Sequence, residues 1–142
     1  MESTEISIDT SGRHLLDITG KVEEFCAGLG DGLLSIFVPH ATAGVALMET
    51  GSGSEADLEE LLGRLLPRDD RYRHRHGPES SGAGGVTVGH GADHLLPVLV
   101  NPSLVVPVAG GRPHLGTWQS VVLVDLNDDN PHRRVRLSFL AG

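Results

Sequence analysis

Histidine is the side chain whose number and spacing in this sequence point to chemistry. There are eight histidines among 142 residues, and two pairs have spacings that bring imidazole rings together. His90 and His94 are four residues apart, which places them on one face if their segment is helical. His74 and His76 are two residues apart, which does the same on an extended chain. Both pairs are candidate metal ligands. The alternative for each pair is exposure to solvent, which is the commoner state of histidines in polar loops.

Two further candidates lie in the stretch VPHATAGVALME, residues 38–49. His40 follows one apolar run, and Glu49 ends the next. An imidazole or a carboxylate at such a position needs a hydrogen-bond partner, a metal or water, because burying it unpaired is costly. The alternative is that both side chains are simply solvated at the ends of strands.

Composition and charge exclude several classes of protein. The net charge is −8 and the basic residues form no long run, which argues against binding to a nucleic-acid backbone. No apolar run approaches the roughly 20 residues that span a membrane, and the acidic amino-terminal stretch is unlike a secretory signal. The single cysteine, Cys26, excludes an internal disulfide and is interpreted as a small core residue. These observations predict a cytoplasmic protein that binds neither nucleic acid nor membrane.

Hydrophobic periodicity predicts two clear helices and a third, shorter one. The first follows Thr19, a candidate N-cap, and ends near Gly30. The second lies within residues 52–67, where leucines recur at helical spacing and Pro67 ends the pattern. A short helix is possible in ADHLLPVLV, although Pro97 limits where it begins. Residues 68–90 are polar, and a loop of that length in a compact domain is usually functional or disordered.

Strand patterns account for most of the remaining chain. Seven segments are continuously apolar or alternate between apolar and polar residues; they lie in residues 4–10, 14–19, 32–39, 43–49, 103–116, 118–126 and 133–140. There is no internal repeat and no linker long enough to divide the chain. The predicted fold is therefore a single α+β domain, residues 1–142, with a mostly antiparallel sheet system of about seven strands and two or three helices.

Several motifs occur in the same order as in the YjbQ-like proteins, a family often described as secondary thiamine-phosphate synthases. They are PHATAG at 39–44, LMET at 47–50, YRH at 72–74, GADHLLPVLVNPSLVVPV at 91–108 and GGRPHLGTWQSVVLVDL at 110–126. The most specific piece is Leu-Gly-Thr-Trp-Gln at 115–119. The sequence resembles this family over almost its whole length. It departs from the family pattern at Met48, His90 and Asn101, where the family usually has Asn, Asn and Gly.

The resemblance implies a homotrimer with a polar pocket at each subunit boundary. It implies a metal or an anion held by histidines of that pocket. The candidate ligands for a divalent ion, zinc or magnesium, are His40 and His94 together with His74 or His90, where His90 would be a ligand that the family pattern lacks. The catalytic residues that it implies are Glu49, Asp57 and Gln119, and the substrate-binding residues are Thr42, Ser103, Trp118 and Gln119. In this interpretation the carboxylates orient the histidine rings or bind the metal, and Trp118 forms a flat wall for an aromatic ring. The alternative for Trp118 is a core anchor at the start of a strand.

The activity implied by the resemblance is condensation of an aminopyrimidine diphosphate with a thiazole phosphate. A C–N bond forms, and diphosphate leaves, which requires positive charge or a metal on its oxygens. The departures from the family pattern predict that such activity is weak. The alternative function is a non-catalytic trimer that binds metal or a phosphorylated metabolite through the same histidines. In both cases the expected partner is a small phosphorylated metabolite. A structural protein with scattered surface histidines is the least favoured interpretation.

Overall fold

A computed structural model of the protein describes residues 1–69, 71–74 and 90–142. Within these residues the chain forms eight strands and three helices, which confirms the predicted α+β class. The strands are β1 (Glu2–Asp9), β2 (Leu15–Asp17), β3 (Gly32–Phe37), β4 (Ala43–Met48), β5 (Ser103–Ala109), β6 (Arg112–Pro113), β7 (Ser120–Asp125) and β8 (His132–Ala141). The helices are α1 (Thr19–Cys26), α2 (Ser54–Leu65) and α3 (His90–Leu99).

The strands form two antiparallel sheets that enclose one core. The larger sheet has the order β1-β8-β3-β5-β6, and the smaller has the order β2-β7-β4. Alternate residues of both sheets point inward and become buried, as the period of two along a strand requires. The shared core consists mainly of aliphatic side chains from both sheets, and it includes Leu34, Ile36, Val106, Leu123 and Leu137.

The helices cover two different surfaces of this arrangement. Helix α1 buries Val22 and Cys26 in the core between the sheets, so the interpretation of Cys26 as a core residue is confirmed. Burial raises the pKa of the Cys26 thiol above its ordinary value. Helices α2 and α3 lie on the opposite face of the smaller sheet, where they enclose a second core that includes Leu62, Leu96, Val122 and Val124. No helix in the described part of the chain is long and apolar enough to cross a membrane.

The glycine of the PHATAG motif permits a close crossing between α3 and the smaller sheet. A Cβ atom added at Gly44 would lie 2.0 Å from the carbonyl oxygen of Val100, which follows α3. The next residue, Val45, donates its N–H to the carbonyl of Asn101 at 2.8 Å. The close approach at Gly44 therefore holds the end of α3 against β4. It thereby helps to set the position of the other residues of α3.

Replacing Gly44 by alanine is expected to destabilise the protein by about 1–3 kcal/mol, because backbone must move to admit the new methyl group. The matched control is Gly63→Ala in α2, where an added Cβ has no atom within 4 Å. That change should instead stabilise by about 0.5–1 kcal/mol, since alanine is the better helix former. Urea unfolding measures both values, and equal stability of Gly44→Ala and the parent would contradict the crossing described above.

Candidate metal centre

Three histidines converge at the amino-terminal end of α3. One ring nitrogen from each of His74, His90 and His94 lies within 4.8 Å of the others. The ring centroids are 4.3 Å apart for His74 and His94, and 4.6 Å apart for His90 and His94. Those of His74 and His90 are 5.2 Å apart. In the part of the chain that the structure describes, no other group of three histidine, cysteine or acidic side chains has this geometry.

The cluster combines residues from two parts of the chain. Helix α3 begins at His90 and places His94 one turn later on the same face, as their spacing suggested. Pro97 lies inside α3 rather than at its boundary. His74 comes from the segment that follows α2, and it is the most exposed of the three rings. His76, which is two residues from His74 and was paired with it as a candidate ligand, lies outside the described residues.

The donor set fits a borderline transition ion such as zinc. Zinc binds neutral imidazole nitrogens at about 2.0–2.1 Å in tetrahedral geometry, which corresponds to nitrogen–nitrogen separations of roughly 3.3 Å. The nitrogens of the cluster, within 4.8 Å of one another, need only small side-chain movements to reach that spacing. Magnesium prefers oxygen ligands, so an all-imidazole set does not suit it. Three protein donors leave a fourth position open to water or a substrate atom.

His40, the fourth histidine of the predicted ligand set, does not belong to this cluster. Its Nε2 accepts a hydrogen bond from the backbone N–H of Arg134 at 2.9 Å. Partial burial and the nearby charges of Arg133 and Arg134 hold the pKa of His40 below its ordinary value of 6.5. The ring is therefore neutral at pH 7, with Nε2 engaged by the backbone. The role of His40 as a metal ligand stays a prediction.

Thr42 lies in a buried polar network rather than on an open surface. Its hydroxyl accepts hydrogen bonds from Arg133 Nη2 at 2.9 Å and from Asn127 Nδ2 at 3.2 Å. The guanidinium of Arg133 is held by two contacts to Asp125, at 2.6 Å and 3.1 Å, and Thr10 donates to the same carboxylate at 3.1 Å. The Arg133 and Asp125 side chains are 3% and 0% exposed. Since these contacts account for the Thr42 hydroxyl, its substrate-binding role stays a prediction.

This network was not predicted from the sequence, although a pattern in β8 contains a signal for it. Arg133 occupies the inward-facing register of that strand, with Val135, Leu137 and Phe139 at alternate positions. A charge in this register requires a buried partner. Asp125 ends the apolar strand β7 and is the carboxylate that meets this requirement.

Two of the predicted catalytic residues, Glu49 and Gln119, lie at the end of the smaller sheet opposite to Thr42. Glu49 follows β4 and Gln119 precedes β7, and the two strand ends are paired through Met48 and Ser120. The other end of β4, at Ala43, follows Thr42. It lies about 17 Å from Met48, because a strand rises about 3.3 Å per residue. Glu49 and Gln119 are exposed, as is Asp57 in the first turn of α2. A single chain therefore does not bring Glu49 and Gln119 to the end of the sheet where Thr42 lies.

The two remaining substrate-binding candidates are exposed as well. Trp118 is 73% exposed, so its interpretation as a core anchor is wrong, whereas a role as an aromatic wall stays a prediction. Its neighbour Gln119 accepts a hydrogen bond from the N–H of Gly116 at 2.8 Å, which closes the turn between them. Ser103 begins β5 opposite Phe37, at the end of β3 from which the chain continues to His40.

Known proteins with the same architecture define the class to which this chain belongs. The model of the family described as "UPF0047 protein YjbQ-like" matches residues 4–142. The protein is a member of the UPF0047 YjbQ-like family, which confirms the resemblance inferred from its motifs. The UPF0047 protein Rv2556c of Mycobacterium tuberculosis is 58% identical over 142 residues, which cover 100% of both chains.

Two solved structures extend the similarity to the three-dimensional fold. The hypothetical protein APE1520 from Aeropyrum pernix is 35% identical, with a TM-score of 0.81 over 100% of both chains. The conserved hypothetical protein TT1486 from Thermus thermophilus is 32% identical, with a TM-score of 0.78 over 96% of this chain and 99% of that one. The names of these relatives assign no activity, so the evidence on function comes from the site itself.

Proposed function

We propose that the cluster of His74, His90 and His94 binds a divalent transition ion, with zinc the best match to its donors. The observation that carries this proposal is the approach of three imidazole nitrogens to within 4.8 Å of one another. When bound, such an ion supplies positive charge and Lewis acidity toward a phosphate oxygen. Equilibrium dialysis of the purified protein against zinc tests the proposal: one bound ion per chain is expected, and none would contradict it.

The ligand that we propose for this centre is a small phosphorylated metabolite. The chain carries a net charge of −8, which repels a phosphate group over the protein surface as a whole. We therefore expect binding of a phosphate ester to require the metal and to disappear when a chelator removes it. Calorimetric titration of the zinc-loaded and chelator-treated proteins with the same ester measures this difference. Equal binding by both forms would contradict a metal-dependent phosphate site.

The reaction that we propose is weak thiamine-phosphate synthase activity. A C–N bond forms between the thiazole nitrogen and the pyrimidine methylene carbon as the bond from that carbon to diphosphate breaks. Expression in a strain that lacks its own thiamine-phosphate synthase should then permit slow growth without thiamine. His94→Ala and Glu49→Ala should remove this growth, because the first loses a metal donor and the second the proposed orienting carboxylate.

The alternative proposal, a non-catalytic protein that binds metal or phosphorylated metabolite, predicts a different result in the same strain. Soluble, metal-loaded protein would then give no growth without thiamine. Equal growth with the parent, His94→Ala and Glu49→Ala would mean that the activity does not use these residues. Catalysis in the proposed form requires Glu49 and Gln119, beside the paired ends of β4 and β7, to meet the histidine cluster, and we propose that they do so across a subunit boundary.

We further propose that the protein is a cytoplasmic homotrimer. Support comes from apolar side chains on the outer face of the larger sheet, where Leu33, Val105 and Leu140 are 50%, 64% and 58% exposed. Leu33 and Leu140 are paired neighbours on β3 and β8, so these side chains form a patch rather than isolated positions. Exposed apolar patches of this kind are typical of subunit interfaces. A reducing compartment is consistent with the single buried Cys26.

Static light scattering tests the trimer directly. The expected mass at micromolar concentration is about 45 kDa, three times the 15.0 kDa of one chain. Val105→Glu places a charge on the face of the sheet that carries the apolar patch and should lower the measured mass, because burying an unpaired carboxylate is costly. A parent protein of 15.0 kDa would contradict the trimer.

A further inference from the structure

His74 is the one donor of the cluster whose position does not depend on α3 alone. The helix holds His90 and His94 at a fixed spacing, because residues four apart lie on the same face. His74 belongs instead to the segment that follows α2, here called the His74 segment (residues 67–69 and 71–74). Contacts that hold this segment against α3 therefore set the distance from the third imidazole to the other two.

The first such contact is between Tyr72 and the backbone of α3 at Gly91. A Cβ atom added at Gly91 would lie 2.4 Å from the Cβ of Tyr72 and 2.7 Å from its Cγ, so a larger residue would displace the tyrosine. The Tyr72 hydroxyl donates a hydrogen bond to the carbonyl of Pro67 at 2.7 Å, which closes the His74 segment on itself. Gly91 is adjacent to His90, and Tyr72 is two residues before His74. This contact therefore joins the two parts of the metal centre.

The second contact is an ion pair between Arg68 and Asp93. Both terminal nitrogens of the guanidinium donate to the carboxylate, with Nη2 3.3 Å from Oδ2. The Asp93 side chain is 4% exposed and lies between His90 and His94 in the sequence of α3. Burial raises the pKa of the Asp93 carboxyl, and the hydrogen bond from Arg68 opposes that shift. A two-point pair of this kind fixes direction as well as distance.

We propose that the contacts of Tyr72 with Gly91 and of Arg68 with Asp93 position His74 for metal binding. The inference rests on the proposed metal-binding function and adds to it the residues that control affinity. None of these four residues supplies a donor atom to the cluster, whose donors are ring nitrogens of His74, His90 and His94. They act by holding the His74 segment on the turn of α3 that carries His90 and His94. Outer contacts of metal sites typically alter metal affinity by about 10–100-fold.

Cobalt(II) titration of the full chain tests this proposal, because visible absorption of cobalt reports the number and geometry of its ligands. Tyr72→Ala is expected to lower cobalt affinity by about 10–100-fold. The cobalt spectrum of Tyr72→Ala should approach that of His74→Ala, since His74 would no longer coordinate the ion. Tyr72→Phe keeps the ring on Gly91 and should remain close to the parent. Arg68→Ala should change affinity and spectrum in the same direction as Tyr72→Ala.

A double-mutant cycle separates positioning of His74 from a general loss of structure. In a His74→Ala background the residue that Tyr72 positions is gone, so Tyr72→Ala should cause no further loss of cobalt affinity. Gly91→Ala provides a second variant, because alanine favours a helix over glycine and still takes the space of Tyr72. Gly91→Ala should lower cobalt affinity on its own, but it should cause no further loss when combined with Tyr72→Ala.

The outcomes distinguish this inference from the metal-binding proposal beneath it. A parent protein that gives no cobalt spectrum overturns both. A normal parent spectrum with unchanged affinity in Tyr72→Ala and Gly91→Ala overturns only the positioning role. An equal loss from Tyr72→Ala with and without His74 also overturns it, because the tyrosine would then act on the fold as a whole rather than through that histidine.

Discussion

Replacing His94 by alanine is expected to lower zinc affinity by more than the roughly 10–100-fold that loss of an outer contact costs. The change removes one of three donors and also breaks the pair that α3 holds on one face. The two remaining imidazoles then need a further water to complete the coordination of the ion. Competition with a chelator of known zinc affinity measures the loss, at a pH where free imidazoles are largely neutral.

Two matched histidine variants control for this experiment. His114→Ala removes an exposed imidazole outside the cluster and should leave zinc affinity unchanged. His40→Gln should also leave zinc affinity at the parent value, because the side-chain oxygen of glutamine can accept the hydrogen bond that the N–H of Arg134 now donates to His40. An affinity loss in His40→Gln equal to that in His94→Ala would place His40 in the same site. Unchanged affinity in His94→Ala would contradict the three-histidine centre.

Replacing Asp125 by alanine is expected to lower the free energy of unfolding by about 3–5 kcal/mol, the usual cost of breaking a buried ion pair. The guanidinium of Arg133 would remain buried without the carboxylate that now accepts two of its hydrogen bonds. Thr10 and the backbone N–H of Asn127 would lose an acceptor in the same step. Urea unfolding measures the change, which is among the largest that a single substitution in this fold should produce.

An exposed ion pair gives the comparison for that result. Asp69 contacts Arg71 at 2.6 Å, but their side chains are 48% and 60% exposed. Asp69→Ala should therefore cost less than about 1 kcal/mol, because solvent screens such pairs. If Asp125→Ala were no more destabilising than Asp69→Ala, the buried network would not be a main support for the end of the sheet where Thr42 lies.

Much of the fold could be predicted from the sequence, because strands and helices impose different periods on the apolar residues. The seven predicted strand segments contain the long strands of both sheets, and the α+β class is confirmed. The two residues of β6 are too few to show any period. Thr19 was predicted to cap α1 but lies inside it, and its hydroxyl accepts the N–H of Val121 at 2.8 Å. A threonine hydroxyl can cap a helix or accept a hydrogen bond from a neighbouring strand, and local sequence does not distinguish these two roles.

The site could be predicted only in part, since its residues come together through packing. The spacing of His90 and His94 suggested a shared face, because one helix carries both. The approach of His74 depends on the contacts of Tyr72 and Arg68 with α3, which no local spacing reveals. His40 stands beside an equally suggestive apolar strand, yet its ring accepts a backbone hydrogen bond. The separation of Thr42 from Glu49 likewise follows from the six-residue strand β4 that lies between them.

The most direct test of the metal centre is anomalous X-ray diffraction at the zinc absorption edge, from crystals of the zinc-loaded protein. We expect one strong anomalous peak per chain, about 2.0–2.1 Å from a ring nitrogen of each of His74, His90 and His94. Zinc found only at other side chains, or no peak beside these three histidines, would contradict the account.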